Sequence, residues 1–580
     1  DQTARIPGPV AFSKGRMSGR GIGATYDQAR RVLNIQEQAK VDVAPDDKGA
    51  GAIHITAKTA GMARADHYMK FTGEVRLDGE GHVTEADDAT AFLTADDERV
   101  QRMELRGHSR ITGKPGGTGP QSMSARDIDM TYAADGRTLQ TAHLVEDAVV
   151  QLPGEAGKAP KRISGTGIDV ALAPDGATVT NLTANDHVQV DLPPDGETPA
   201  RRIRSTSLLA TGPPTGGIQS AAFGGGVEFR ESRAARGKLA AIDRTARADR
   251  MDVRTKPGFG DIEQAEFHNN VHFTDGTQTT ADSPTAVYAI AQDRMDLSPE
   301  TGDTGPGPHV TDGRIAVEAR NIHMILTSQK MKADTMVRSV MVQKSKSDAN
   351  AVHMPSMLKE DRPVNVRSNR LDYDGDKSVA IYEGKARLWQ DDTEIKADRI
   401  VLEDKTGNLH ATTNVETSMT LTEAEDKPAG AGRPPAKPPE PTHTTAEELV
   451  YEDAKHRAIY TGKAHMNGPN GDVVADRIEL FLAEQGGQLE RAEADGNVVS
   501  KQENRRAFGR HLTYVAKDDI YTMIGLPAKV YDDLPPNCKY TEAATVTFHK
   551  AGNSTAAIGT DTAPQNSKNI PCGTVVGGSL

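Results

Sequence analysis

Two stretches of this 580-residue chain carry one pattern in step. AIYEGKARLWQDDTEIKADRIVL, residues 380–402, returns as AIYTGKAHMNGPNGDVVADRIEL, residues 458–480. Tyr382 and Tyr460, Gly384 and Gly462, Ala386 and Ala464, and Asp398 and Asp476 all stand 78 positions apart. A period held at that length marks a repeat architecture, in which each unit buries its apolar face against the next. Such a chain does not need the large single core that its length would otherwise demand. The composition agrees, since hydrophobic residues make up 36% and aromatics only 4%, while 55 Gly and 32 Pro supply turns.

Inside the repeat the apolar residues alternate. Ala380, Tyr382, Gly384, Ala386 and Leu388 share one parity, and Glu383, Lys385 and Arg387 the other. Period two predicts a strand with one buried face. Further on, Ile395 and Ala397 are odd but Ile400 and Leu402 are even, with the change at Asp398-Arg399. The second copy repeats this with Val473 and Ala475, then Ile478 and Leu480. A phase change at a fixed place predicts a bend, through a bulge, that keeps both halves of the strand facing one interior. Stacked V-shaped units of this kind make two sheets that meet along a seam and enclose an apolar groove. The residues assigned to that groove are Leu388, Ile395, Ile400, Leu402, Met466, Val473, Ile478 and Leu480. The corner aspartates Asp398 and Asp476 are expected to be structural, bonding to local backbone N–H groups.

Fainter copies extend both ways. Tyr514 and Gly525 repeat Tyr451 and Gly462 at an offset of 63, and upstream segments share the order strand, glycine turn, strand. The turns Asp135-Gly136, Asp175-Gly176 and Asp275-Gly276 are hairpin signals. Two stretches break the pattern: a Pro-rich loop at 425–445 and an interruption at 344–364. The segment DQARRVLNIQEQAK reads as strands, because its apolar residues do not sustain a helical stripe. The expected organisation is an N-terminal β-roll segment at 1–115, degenerate repeats at 116–360, regular repeats at 361–561 and a tail at 562–580.

The motif Ala-x-Tyr-x-Gly-x-Ala, followed by Ala-Asp-Arg-Ile-x-Leu and then by Leu489, Ala494, Gly496 and Val498, resembles the OstA-like repeat of the lipopolysaccharide-transport periplasmic proteins, the LptA/LptC type. Residues 15–43 resemble the first strands of an LptC-like domain. The resemblance implies an all-β, elongated, twisted β-jelly-roll that carries lipopolysaccharide acyl chains across the periplasm. It also implies an inner-membrane transporter complex at the N-terminal end. At the C-terminal end, either a folded-back cap or an outer-membrane partner of the same fold would meet the open edge. A tether to the inner membrane by an anchor outside this chain is compatible with the same picture.

Other functions find little support in the residues. The net charge of −13 argues against a nucleic-acid binder, which needs a basic face. The 17 histidines show no metal-ligand spacing, no nucleophile is set off by a motif, and neither a cofactor nor an enzymatic activity is expected. GRGIGAT, at 19–25, lacks the strand-and-helix setting of a nucleotide loop and reads as a turn. Cys538 and Cys572 are the only cysteines, which suits one C-terminal disulfide in an oxidising compartment, with two free buried thiols as the other reading. No window reaches the roughly 18 apolar residues that span a bilayer. Two further classes stay open on the residues alone: a structural or adhesive β-solenoid with a self-filled core, and an assembly factor that pairs strands with its partners.

Overall fold

In a computed structural model the described residues are all except 1–2, 48, 115–118, 155–157, 238, 278, 303–304, 342–352, 360–361, 422–439, 470, 485–486, 550–553 and 574–580. Among them are thirty-five strands, three single-turn 3-10 helices and no α-helix. The chain forms two compact units, Asp1–Met295 and Asp296–Leu580. This division falls inside the stretch 116–360.

Each unit is an antiparallel meander in which most strands pair with the next in sequence. In the second unit Val379–Gln390 pairs with Thr393–Glu403, which pairs with Asn408–Met419, and the order continues through Thr442–Glu452, Arg457–Gly468 and Gly471–Leu482. Alternation gives these strands their inward face, and short polar turns return the chain. Asp135 shows how a turn is fixed: its carboxylate accepts hydrogen bonds from the backbone N–H of Arg137 at 2.9 Å and of Thr138 at 3.0 Å. Asp175 does the same for Ala177 and Thr178. The adjoining Gly136 and Gly176 adopt φ of 71° and 67°, open to glycine without a steric penalty.

The bend has a specific construction. Glu383 pairs with Arg399 and Ala386 with Ala397, so two residues, Gly384 and Lys385, stand opposite the single Asp398. Both are left-handed, at φ 78° and 53°. The same two-against-one count recurs at Gly462 and Lys463 opposite Asp476, and, in the first unit, at Asn269 and Asn270 opposite Asp249. These are β-bulges, and they turn the strand while keeping its apolar residues inward. Ile395 and Ala397 before the corner, and Ile400 and Leu402 after it, are all buried. The corner carboxylates accept hydrogen bonds from cross-strand side chains: Asn414 Nδ2 donates to Asp398 and Asn497 Nδ2 to Asp476, each at 2.9 Å. The expected local backbone donors are replaced by an asparagine on the neighbouring strand.

Several expectations take a different form. GRGIGAT is not a turn. It lies within the strand Met17–Asp27, where Gly23 at φ 73° supplies a left-handed residue. Most of the Pro-rich stretch falls on 422–439, outside the described residues, and its end belongs to the strand Thr442–Glu452. The chain from Ser554 onward, which includes the start of the tail, folds back onto the last long strand, Lys539–His549. Ser554–Ile558 pairs with one half of it, placing Val546 opposite Ala557, and Asn566–Asn569 pairs with the other half. Cys538 and Cys572 are joined by a disulfide that ties this return.

Candidate functional site

The inward faces of the bent strands make the candidate site. Cross-strand pairs bring the assigned residues together in the same register in both copies. Leu388 stands opposite Ile395, Tyr382 opposite Ile400 and Ala380 opposite Leu402. In the later copy Met466 stands opposite Val473, Tyr460 opposite Ile478 and Ala458 opposite Leu480. Leu388, Ile395, Ile400, Leu402, Ile478 and Leu480 are buried to 2% exposure or less, Val473 is 7% exposed, and Met466 is partly exposed.

The interior is close-packed at the first copy and opens slightly at the second. Met466, Val473 and Ile478 line an apolar recess with Leu489, Leu512 and Tyr514, and Gly468 and Gly471 stand at the end of one arm. Its volume is about 40 Å³. That is room for about three water-sized groups, at about 10–15 Å³ of such space each. A longer apolar chain therefore needs the arms to part or a side chain to move. Aromatic rings continue the lining toward the C-terminus, with Tyr514 and Tyr521 stacked at 4.3 Å and Tyr521 and Phe548 at 4.9 Å between centroids.

Polar groups also enter the interior. Thr417 and Tyr460 share a hydroxyl–hydroxyl hydrogen bond of 3.0 Å, and burial pushes the Tyr460 phenol up to about 12. Burial also lifts the Asp404 carboxyl to about 6. In the first unit the interior carries a charged network that the sequence does not announce. Arg201 pairs with Glu231 at 2.9 Å, and Arg244 reaches both Glu231 at 3.4 Å and Asp275 at 3.0 Å. Arg201, Glu231 and Arg244 are all nearly inaccessible, and the Tyr288 hydroxyl donates to Glu231 at 2.9 Å.

A second feature without a sequence signal lies at 353–359, inside the interruption at 344–364, most of whose remaining residues are outside the described ones. Met354, Met357 and Leu358 are buried at 6%, 7% and 3% exposure. The segment is bonded to hairpin turns far away in sequence.

Among the described residues no group of three or more histidine, cysteine or acidic side chains is placed to hold a metal ion, and no helix is long and apolar enough to cross a membrane. Bent antiparallel strands closed around an apolar interior define a β-jelly-roll built from repeats. Residues 365–485 and again 443–550 match the family described as LptA/(LptD N-terminal domain) LPS transport protein. The match ties these residues to lipopolysaccharide transport. One similar solved structure is LptH, the LptA homologous periplasmic component of the lipopolysaccharide transport device from Pseudomonas aeruginosa. It is 14% identical, with 23% of this chain and 96% of that chain covered and a TM-score of 0.20. No curated protein matches the chain.

Proposed function

We propose that this protein is a periplasmic bridge that holds the acyl chains of lipopolysaccharide, or of a similar multi-acyl lipid, between the arms of its bent strands and passes the lipid from the inner to the outer membrane. The observation that carries this reading is the apolar recess at Met466, Val473 and Ile478, which lies inside the residues matched by the transport family. Each methylene buried there is worth about 0.8 kcal/mol. Repetition of the same inward pairs from one copy to the next offers similar affinity at successive positions, which suits transit. The disulfide suits an oxidising compartment. On this reading the N-terminal end meets an inner-membrane transporter complex, and an outer-membrane partner at the C-terminal end would meet the returning strands Ser554–Ile558 and Asn566–Asn569, which cover the edge at Val546.

The test is photo-crosslinking in cells that make the lipid. Crosslinkers at Ile400 and Ile478 are expected to capture lipopolysaccharide, and those at the opposite-parity positions Val401 and Glu479 are not. Equal capture at all four positions removes the face assignment. A second reading, a β-solenoid with a self-filled core, is favoured by the small volume of the recess. Native mass spectrometry of gently purified protein separates the two, because only the transport reading expects co-purified lipid.

A further inference from the structure

Residues 353–359 run from one edge of the roll to the other. At one end the backbone N–H of His353 donates to the Asp404 carbonyl at 3.1 Å, and its ring meets the Asp453 carboxylate at 2.7 Å. Ser356 adds three bonds to the same edge: its backbone N–H donates to Asp453 at 2.6 Å, and its hydroxyl meets the Tyr451 hydroxyl and His456 Nδ1, each at 2.8 Å. At the other end the Lys359 N–H donates to Gln390 Oε1 at 2.6 Å, and the Gln390 amide donates back to the carbonyls of Lys359 and Arg362.

Asp404 and Gln390 lie beyond opposite ends of the strand Thr393–Glu403. A straight strand of those 11 residues holds its ends about 35 Å apart. The six steps from residue 353 to residue 359 reach at most about 22 Å. Only because the strands are bent do the two edges come within reach of one short segment. The crossing is fitted to its place. Gly407, at φ 70°, sits where any Cβ would lie 2.5 Å from the His353 ring. A turn closed by the Leu358 N–H on the Pro355 carbonyl gathers the buried Met354, Met357 and Leu358 around the crossing. Tyr451, whose hydroxyl meets that of Ser356, is itself a fully buried interior residue.

We propose that residues 353–359 are a displaceable strap that closes the mouth of the roll, with Met354, Met357 and Leu358 occupying the place of an acyl chain, so that lipid enters this stretch only when the strap leaves. This inference rests on the transport reading above and deepens it. Three features make the segment a strap and not a fixed part of the core. It belongs to a connection between strands, so it departs without breaking a strand pair. Its hydrogen bonds run to side chains and turns and not to a sheet ladder. Its apolar side chains include two methionines, unbranched and adaptable, which fill a space that must also accept other shapes.

The experiment measures binding of a pyrene-labelled long-chain fatty acid and of lipopolysaccharide to the full chain and to a triple variant, Met354→Ser, Met357→Ser and Leu358→Ser. A strap closed about nine-tenths of the time weakens apparent affinity about tenfold, so the variant should bind at least about tenfold more tightly. Unchanged or weaker binding by a folded variant overturns the strap and leaves the transport reading standing. Binding by neither chain overturns the transport reading, and the strap with it. Should the variant fail to fold, hydrogen exchange on the unaltered chain decides. The amides of Ser356, Leu358 and Lys359 should lose protection when the labelled fatty acid saturates the protein, and undiminished protection overturns the proposal.

Discussion

The hydroxyls of Thr417 and Tyr460 meet at 3.0 Å in the buried interior, and the same bond recurs one repeat earlier between Ser339 and Tyr382 at 2.8 Å. The partner is 43 positions upstream in both copies. The repeated tyrosine is thus an interior residue whose single polar atom has an assigned place. Tyr460→Phe should lower stability by about 1 kcal/mol, because it removes a buried hydrogen bond and weakens the satisfaction of Thr417. Adding Thr417→Val should recover most of the loss. Urea denaturation of the two single variants and the double variant measures the coupling, and strictly additive losses would show that the bond contributes nothing.

The corner makes a sharper demand. Gly496 sits at φ 75°, and a Cβ there would lie 2.3 Å from the Asp476 carboxylate. Gly496→Ala therefore meets both backbone strain and a clash, and should cost about 1–3 kcal/mol. Asp476→Ala alone should cost about 1 kcal/mol through loss of the bond from Asn497. Combined, the two substitutions should cost less than their sum, since the smaller side chain makes room for the methyl group. A thermal-melt cycle that finds a double variant worse than additive would contradict this geometry.

Asp404 gives the protein a pH response. Burial raises its carboxyl from 3.8 to about 6, with Arg314 opposing and Asp312 adding to the shift. A raised carboxyl favours the folded state when protonated, so the penalty for its charge is absent below about pH 4, grows between about 4 and 6, and persists above. A shift of about two units corresponds to about 3 kcal/mol. Asp404→Asn should raise the unfolding free energy measured in urea at pH 8, by up to that amount, and leave it nearly unchanged at pH 4. An equal gain at both values would trace the effect to packing instead of charge.

The buried charges of the first unit set a different expectation. Glu231→Gln strips Arg201 of its buried carboxylate partner while Arg244 keeps Asp275, so the loss should be about 3–5 kcal/mol. Replacing Arg201 and Glu231 together by Met and Leu should recover much of it. Hydrogen exchange in the strands Ala200–Thr211 and Ser220–Arg233 reports the change locally, and an unaffected exchange pattern would show the pair to be dispensable.

The bend was legible because a side-chain alternation that changes phase leaves a mark on every residue around it. Ile395, Ala397, Ile400 and Leu402 announce the corner at Asp398 without any knowledge of their partners. Asp-Gly turns were equally plain, since their chemistry is contained within four residues. The strap was not, because Met354, Met357 and Leu358 stand in a polar, proline-containing stretch with no period. Their burial is decided by Asp453 and His456, about a hundred positions later. Arg201 and Arg244 were hidden for a related reason: charged residues fill both parities of their strands, and only the fold selects which ones turn inward. GRGIGAT misled in the opposite direction, since glycines that mark turns elsewhere serve here as a bend inside a strand.

The two-against-one corner places its extra residue on alternate strands, so a bulged strand always lies beside one that is not. A single inserted strand would set two bulged strands, or two plain ones, side by side, and the corner line would be broken from that point onward. The architecture can therefore be lengthened or shortened only by whole hairpins. The step from Val379–Gln390 to Arg457–Gly468 obeys this rule, since it advances four strands and returns to a bulged one. For an engineer, the indivisible module of this roll is the strand pair.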